Sequence, residues 1–478
     1  GPDGNTLVPD LASALPEVSP DGLTYRFPLR EGIRRYSTGE PVRPEDFRYG
    51  LERSVALDRS LAGLYGAIVG VKACDLDPST CDLSGGIVVD DQSVTFHLAR
   101  PDPDLPFKLA LPGAFPVPAA IPVKDQGQTP LPATGPYMIA EAGAGGIELV
   151  RNEQFHEWAS AAQPAGFVNA ISWRFNEKPA GAFDRLKAGE LDLMTDPPPP
   201  ADLEWLQAAH PNQVVRWPRL ATIYVGMDAR RAPFNDVRVR QALNYALDRD
   251  HVVALFGGPT SQRPTCQIAP PNFPGYEPYC PYTRDPGSGT WSARDLDRAR
   301  ALIREAGAVG DKVSVLATDD PRGTLGSPSQ RRDTMQYVVD VLDDIGLRAD
   351  LKVVPTINQY WRSIYAGEGQ AWLSGWVTDI PRASDFTGTQ FRCGTPLTIV
   401  GYVCAAGVEA KIEHAQQLEA TDPAAANRLW IEAEHELVDD AVVAPLTNPI
   451  TTVAVSARVE NVQVNPQWTI LLSQLWVR

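Results

Sequence analysis

The 24 residues MDARRAPFNDVRVRQALNYALDRD (227–250) carry the strongest structural signal in the chain, and they continue into HVVALF. Asn235 or Asp236 is suited to cap a helix, and Val239, Leu243, Ala246, Leu247 and Val253 recur at the spacing of one apolar stripe. The spacing predicts a single amphipathic helix with one buried face. Two later segments repeat the grammar: ARDLDRARALIREAG stops at Gly307 before the strand KVSVLA, and TMQYVVDVLDD stops at Gly346 before a strand over 349–354. Helix, glycine, strand is the punctuation of an α/β sheet.

Upstream the pattern changes. A period-2 run at 23–29 is followed by turns at Gly32 and Gly39 and a helix opening near Pro44. A hairpin is expected in GIVVDDQSVTFHLA, turning at Asp90-Asp91, so residues 1–128 form a mixed α+β unit. The Pro- and Gly-rich passage 111–136 is a boundary, and a second hairpin turns at 143–146. Its AGAGG lacks the spacing of a phosphate-cradling loop and leads into a strand rather than a helix. The Pro197–Pro200 run reads as a rigid loop. A last amphipathic helix, AANRLWIEAEHELVDD, runs into an apolar strand.

At 478 residues the chain exceeds what one hydrophobic core fills, so two or three domains are expected. No run approaches the roughly 18 apolar residues of a membrane span. The net charge of −16 repels phosphate backbones and argues against nucleic-acid binding. It serves solubility or draws in cationic and zwitterionic ligands.

The six cysteines fall into local pairs, Cys74/Cys81, Cys266/Cys280 and Cys393/Cys404, each bracketing a loop-like segment. None has the CxxC spacing of a redox or zinc site, so three local disulfides and an oxidising compartment are expected. Buried unpaired thiols are the alternative. Closing the 266–280 loop stabilises by about 3 kcal/mol on the chain-entropy model. Gly1-Pro-Asp-Gly-Asn has no signal-peptide character, as for an exported chain after processing.

Catalytic motifs are missing. The six histidines make no HExxH or other metal-ligand spacing, and there is no GxSxG and no P-loop. No catalytic residue, metal or cofactor is assigned. What stands out is SGWVTDIPRASDF (374–386), where Asp379 is a carboxylate without a His or Cys beside it, close to Trp361, Trp372 and Trp376. Tryptophans of this kind are commonly core, but an indole face with a carboxylate also suits an ammonium group.

Seven segments, in order, resemble the extracytoplasmic solute-binding proteins of family 5, which serve ABC importers of oligopeptides, dipeptides and nickel complexes. They are LREGIRRYSTGEPVRPEDF (29–47), TGPYMIA with LVRNEQF (134–155), MDARRAPFNDVRVRQALNYALDRD, DLDRARALIREAG, LDDIGLRADLKVV, SGWVTDIPRASDF and LWIEAEHELVDDAVVAPL (429–446). The resemblance implies an α/β, two-lobed flytrap-like fold with an extra small α+β domain. It divides the chain into a small domain (1–128), a first lobe (129–225 plus 448–478) and a second lobe (226–447), with a hinge near 224–227 and 445–448. On that resemblance, the N-terminal segment with which the family begins its first lobe is expected to be missing here.

The resemblance further implies that Asp379 grips the α-ammonium of a peptide or small zwitterionic solute, with Trp376 beside it and Trp361 as an aromatic wall. Ile380-Pro381-Arg382 departs from the family's continuation and is where ligand preference is expected. The implied protein is a monomeric, non-enzymatic, extracytoplasmic receptor, periplasmic or at the cell surface, with a lipid anchor on an upstream segment as one form. It delivers to an ABC permease and needs no cofactor. A ligand-sensing domain of a larger regulatory protein and a hydrolase on the same fold are the alternatives.

Overall fold

A computed structural model of the chain describes all residues except 1–3, 32–34, 176, 324, 394–404 and 420. Gly32 and Cys404 therefore lie outside the described residues, and with Cys404 the third cysteine pair. The chain divides into two compact units, Gly1–Val215 with Val453–Arg478 and Arg216–Thr452, so the backbone passes between them twice.

In the first unit, a four-stranded antiparallel sheet runs in the order Glu17–Val18, Thr24–Pro28, Ser93–His97, Ile87–Asp90. The helix Pro44–Leu57 opens on a proline, and the Asp46 carboxylate accepts the Arg43 amide at 2.8 Å, which answers an otherwise orphaned donor. Leu51 and Val55 of that helix pack on Tyr25, Val94 and Phe96 of the sheet. The hairpin Tyr137–Gly143 with Gly146–Arg151 forms as expected and gains a third strand, Ala170–Arg174. Cys74 and Cys81 are disulfide-bonded.

The second unit is built on a mixed sheet whose strands follow the order Gln262–Pro264, Val443–Val455, Ala221–Met227, Ala371–Val377, Lys312–Thr318, Arg348–Val354. The last two are parallel and joined by the helix Pro328–Asp344, while Ala221–Met227 lies antiparallel to Ala371–Val377 in a seven-residue register. Ile223, Val225, Val315, Ala371 and Leu373 face one core, packed by the helices Leu296–Ala306 and Pro328–Asp344. Gly307 ends the first of these in the left-handed conformation, as its position after the helix predicted.

The expected single helix after Asp236 is instead two, Val237–Ala246 and Arg249–Leu255. Leu247 is extended, and the Asp248 carboxylate accepts the amides of Asp250 and His251, which caps a second helix. A capping acid inside an apolar stripe overrides the period, because it satisfies helix-start donors that an unbroken helix would satisfy itself.

That break gives the arginines of the segment their work. Arg249 is completely buried and donates to the carbonyls of Thr265, Pro445 and Asn244, which joins the second short helix to the strand Val443–Val455, to the chain just after Gln262–Pro264 and to the first short helix. Burial pulls its pKa down to about 10, and its guanidinium lies over the Trp291 ring. Arg240 similarly donates to the carbonyls of Phe234, Asp440 and Ala441. The most recognisable stretch of the sequence is thus a structural clamp.

Cys266 and Cys280 are disulfide-bonded, and the loop they close sits on a buried acid. Glu434 accepts the amides of Ile268 and Ala269 and the Gln267 side-chain amide, and burial pushes its pKa up to about 7.

Candidate functional site

The strand Ala371–Val377 alternates: Ala371 and Leu373 enter the core just described, and Trp372, Ser374 and Trp376 take the opposite face. Trp372 is fully buried against Leu316, Val354, Tyr360 and Ile364, which is the core role expected of most tryptophans. Trp376, nearer the strand's end, is half-buried against a second cluster that includes Tyr224, Phe386 and Trp430.

Past Val377 the Thr378 amide still donates to Leu220, and the chain then turns through residues 378–383 into one wide helical turn, Ser384–Gly388. This turn brings Asp385 back beneath the strand end. Its Oδ2 accepts three hydrogen bonds, from Trp376 Nε1 at 2.9 Å, Thr378 Oγ1 at 2.8 Å and the Asp379 amide at 2.9 Å. One buried carboxylate oxygen therefore fixes the indole, the hydroxyl and the backbone of the residue that carries the second acid.

Asp379 itself is exposed, though enough protein surrounds its carboxylate for desolvation to raise its pKa. Asp385 is only 4% exposed, and burial, then the neighbouring Asp379 charge, push it up to about 7 against the pull of its three hydrogen bonds. Asp379 is thus not alone: two acids of different exposure share the end of one strand.

Trp376 and Asp379 come together through Asp385. Trp361 lies elsewhere on the same face: it is half-buried on the helix Ile357–Tyr365, edge-on to Tyr360 with ring centroids 5.5 Å apart, and belongs to the Trp372 cluster. Ile380 and Pro381 are buried, and Arg382 pairs with Glu419 at 2.6 Å, whose other oxygen accepts Trp430 Nε1. Gln390, also buried, accepts the Tyr224 hydroxyl.

Sequence reasoning missed Asp385, although it lies in the quoted segment six residues beyond Asp379. An acid directly before a buried aromatic, after a Pro-containing turn, was the available signal. Among the described residues, no group of three His, Cys, Asp or Glu side chains could hold a metal ion, and no helix is long and apolar enough to cross a membrane.

The mixed α/β chain in two units has parallels among known binding proteins. The profile of bacterial extracellular solute-binding proteins, family 5 Middle, matches residues 6–396, and the chain belongs to that family. It is 25% identical to the periplasmic oligopeptide-binding protein OppA of Escherichia coli over 449 residues, covering 89% of this chain and 76% of that protein. It is 25% identical to the probable di/tripeptide-binding protein 5 of Pseudomonas aeruginosa over 481 residues, covering 96% and 85%.

Among solved structures, clavulanic acid biosynthesis oligopeptide binding protein 2 superposes with a TM-score of 0.82 at 24% identity, covering all of this chain and 88% of that one. Haemophilus influenzae OppA in complex with RPPGFSPFR gives 0.71 at 21% identity, covering 99% and 91%. The fold is the two-lobed one of periplasmic binding proteins.

Proposed function

We propose that this chain captures a peptide, or a similar cationic or zwitterionic solute, outside the cytoplasm and delivers it to an ABC permease without chemical change. The observation that carries the reading is the exposed Asp379, whose carboxyl pKa is raised by desolvation and whose backbone amide shares the Asp385 Oδ2 acceptor with the Trp376 indole. A carboxylate so placed gains from an incoming ammonium, which repays the desolvation and lies well against an aromatic face. The family assignment, relatives described as peptide-binding, and a structural neighbour complexed with RPPGFSPFR support the peptide class.

In this reading Asp379 takes the ligand's α-ammonium, Trp376 flanks it and Trp361 serves as a more distant aromatic wall. Residues 1–128 are a small domain, 129–225 with 448–478 the first lobe and 226–447 the second, hinged near 224–227 and 445–448. Ligand closes the lobes because it binds the closed state better. The receptor acts as a monomer, as a periplasmic or surface protein, with a lipid anchor on an upstream segment as one form.

Native mass spectrometry of purified protein for co-purified solute, followed by calorimetry with tri-alanine and longer peptides, tests the reading. Bound peptide returned intact is the expected result. Cleavage of a peptide mixture on incubation would overturn it in favour of an enzyme.

A further inference from the structure

We propose that the first unit holds a second ligand site, an apolar cavity that takes a small amphipathic amine with its ammonium on Asp10. All of the residues lining it belong to that unit, whereas Asp379 and Asp385 belong to the other.

The cavity has a volume of about 480 Å³, within the roughly 300–1,000 Å³ of small-molecule sites. Pairing of Thr24–Pro28 with Ser93–His97 sets Phe27 opposite Val94, and alternation puts Leu29 and Phe96 on the same face, which forms the floor. Phe47 and Leu51, one turn apart in the helix Pro44–Leu57, line one wall. Leu109 and Phe115 line another. The segment 7–15, tied to the sheet by the Ala12–Leu29 bridge, adds Val8 and Leu11.

Phe27, Phe47 and Leu109 pack against the core of this sheet yet stay half-buried, and Phe115 is 52% exposed. Ala12, Ala110 and Ala114 line the same space, and their small side chains leave open a volume that a close-packed core fills. Apolar surface held open in this way is what an apolar ligand removes from water.

The polar lining residues are Asp10, Gln163 and Ser473. The Asp10 carboxylate is oriented from a distant part of the chain: Trp158 Nε1 donates to Oδ1 and Gln163 Nε2 to Oδ2, each at 2.8 Å. Because Gln163 also lines the cavity, the oriented charge stands at the cavity wall. Arg30 Nε donates at 2.7 Å to the Asp10 backbone carbonyl, not to the carboxylate. Both donors that reach the carboxylate are neutral, so they fix its direction and leave its charge, and each oxygen has a second lone pair for a ligand donor.

The ligand's chemistry follows from this lining. An apolar body covers the floor and walls, and one protonated amine meets one fixed carboxylate. A carboxylic acid of the same shape meets like charge and is rejected. The net charge of −16 favours the same sign of ligand.

The test uses the full chain at neutral pH with the neutral fluorophore N-phenylnaphthylamine, which brightens in apolar sites, and submicellar dodecylamine and dodecanoate as competitors. Wild type should bind the fluorophore saturably, and dodecylamine should displace it at about tenfold lower concentration than dodecanoate, the effect of one hydrogen bond to a charged group. Asp10→Asn should equalise the two competitors and still bind the fluorophore. Ala114→Phe, which fills the cavity, should lose the fluorophore while keeping native circular dichroism. Asp379→Asn should leave both displacement curves as in wild type.

The wild-type comparison needs no variant to fold: absence of saturable binding, or equal displacement by amine and acid, overturns the proposal. Discrimination that survives in Asp10→Asn, or fluorophore binding that survives in folded Ala114→Phe, overturns it as well. Loss of amine displacement in Asp379→Asn would assign the amine to the strand-end acid and overturn it too.

Discussion

Gly226 stands directly opposite Trp372 across two antiparallel strands, and a Cβ at residue 226 would lie 2.5 Å from the indole Nε1. The glycine is there for space: its missing side chain is the slot into which a completely buried indole fits. Because Trp372 is closed in by Leu316, Val354 and Ile364, it has nowhere to retreat.

Gly226→Ala is therefore expected to destabilise the chain by about 1–3 kcal/mol, the range for overpacking a tight core. Urea unfolding reads it, as a lower midpoint with unchanged slope. A midpoint equal to wild type would mean the indole can move aside.

Arg249→Met should cost about 3 kcal/mol or more, since it leaves the carbonyls of Thr265 and Pro445 and the Asn244 groups buried without their donor. The folded fraction should bind ligand with wild-type affinity, because the arginine is a clamp within the fold. Urea unfolding and calorimetry together separate the two effects.

Asp379→Asn should weaken binding of a cognate ligand with a free ammonium by at least about 1.5 kcal/mol, the low end for a hydrogen bond to a charged group. N-acetylating that ligand should have a similar effect on the wild type and add little in the variant. Equal calorimetric affinities for wild type and Asp379→Asn would remove the residue from the site.

Stability should fall as pH rises from about 5 to about 8. Glu434 has a folded pKa of about 7, above its ordinary value of 4.5, so the folded chain binds more protons than the unfolded chain in this window. The stabilisation is fully present below the unfolded pKa and is lost through the folded one, on the order of 2 kcal/mol. Glu434→Gln should flatten much of the slope while losing the bond to Gln267 Nε2, which has no acceptor on an amide nitrogen. Urea midpoints at pH 5.5 and 8 check both.

Under denaturing, non-reducing conditions the free-thiol count should be near zero, and Cys266→Ser with Cys280→Ser should cost about 3 kcal/mol for a 14-residue separation. Six titratable thiols would refute the pairing.

Where a residue's role depends on neighbours in the chain, the sequence was enough. The glycine stops of the two helices ending at Gly307 and near Gly346, the hairpin turning between Gly143 and Gly146, and the two described cysteine pairs all formed as expected. Each is settled by contacts a few residues apart. The local rules also failed locally: Asp248 broke a helix that its apolar period drew as one, because the capping of two amides outweighed the stripe.

Tertiary structure alone assigned the tryptophans and the acids. Trp361, Trp372 and Trp376 look alike in a linear reading, yet one is half-buried on a helix, one is sealed opposite Gly226 and one is bonded to Asp385. Asp379 looked solitary because its partner's approach depends on how the chain turns after Val377. The sequence by itself determined the order of helices and strands and the family order of its motifs, since these rest on short-range periodicity and capping. Which carboxylate is exposed, which is buried behind it and which donors it holds was decided only when the sheet and its returning turn placed them within hydrogen-bond reach, where burial and repulsion act together.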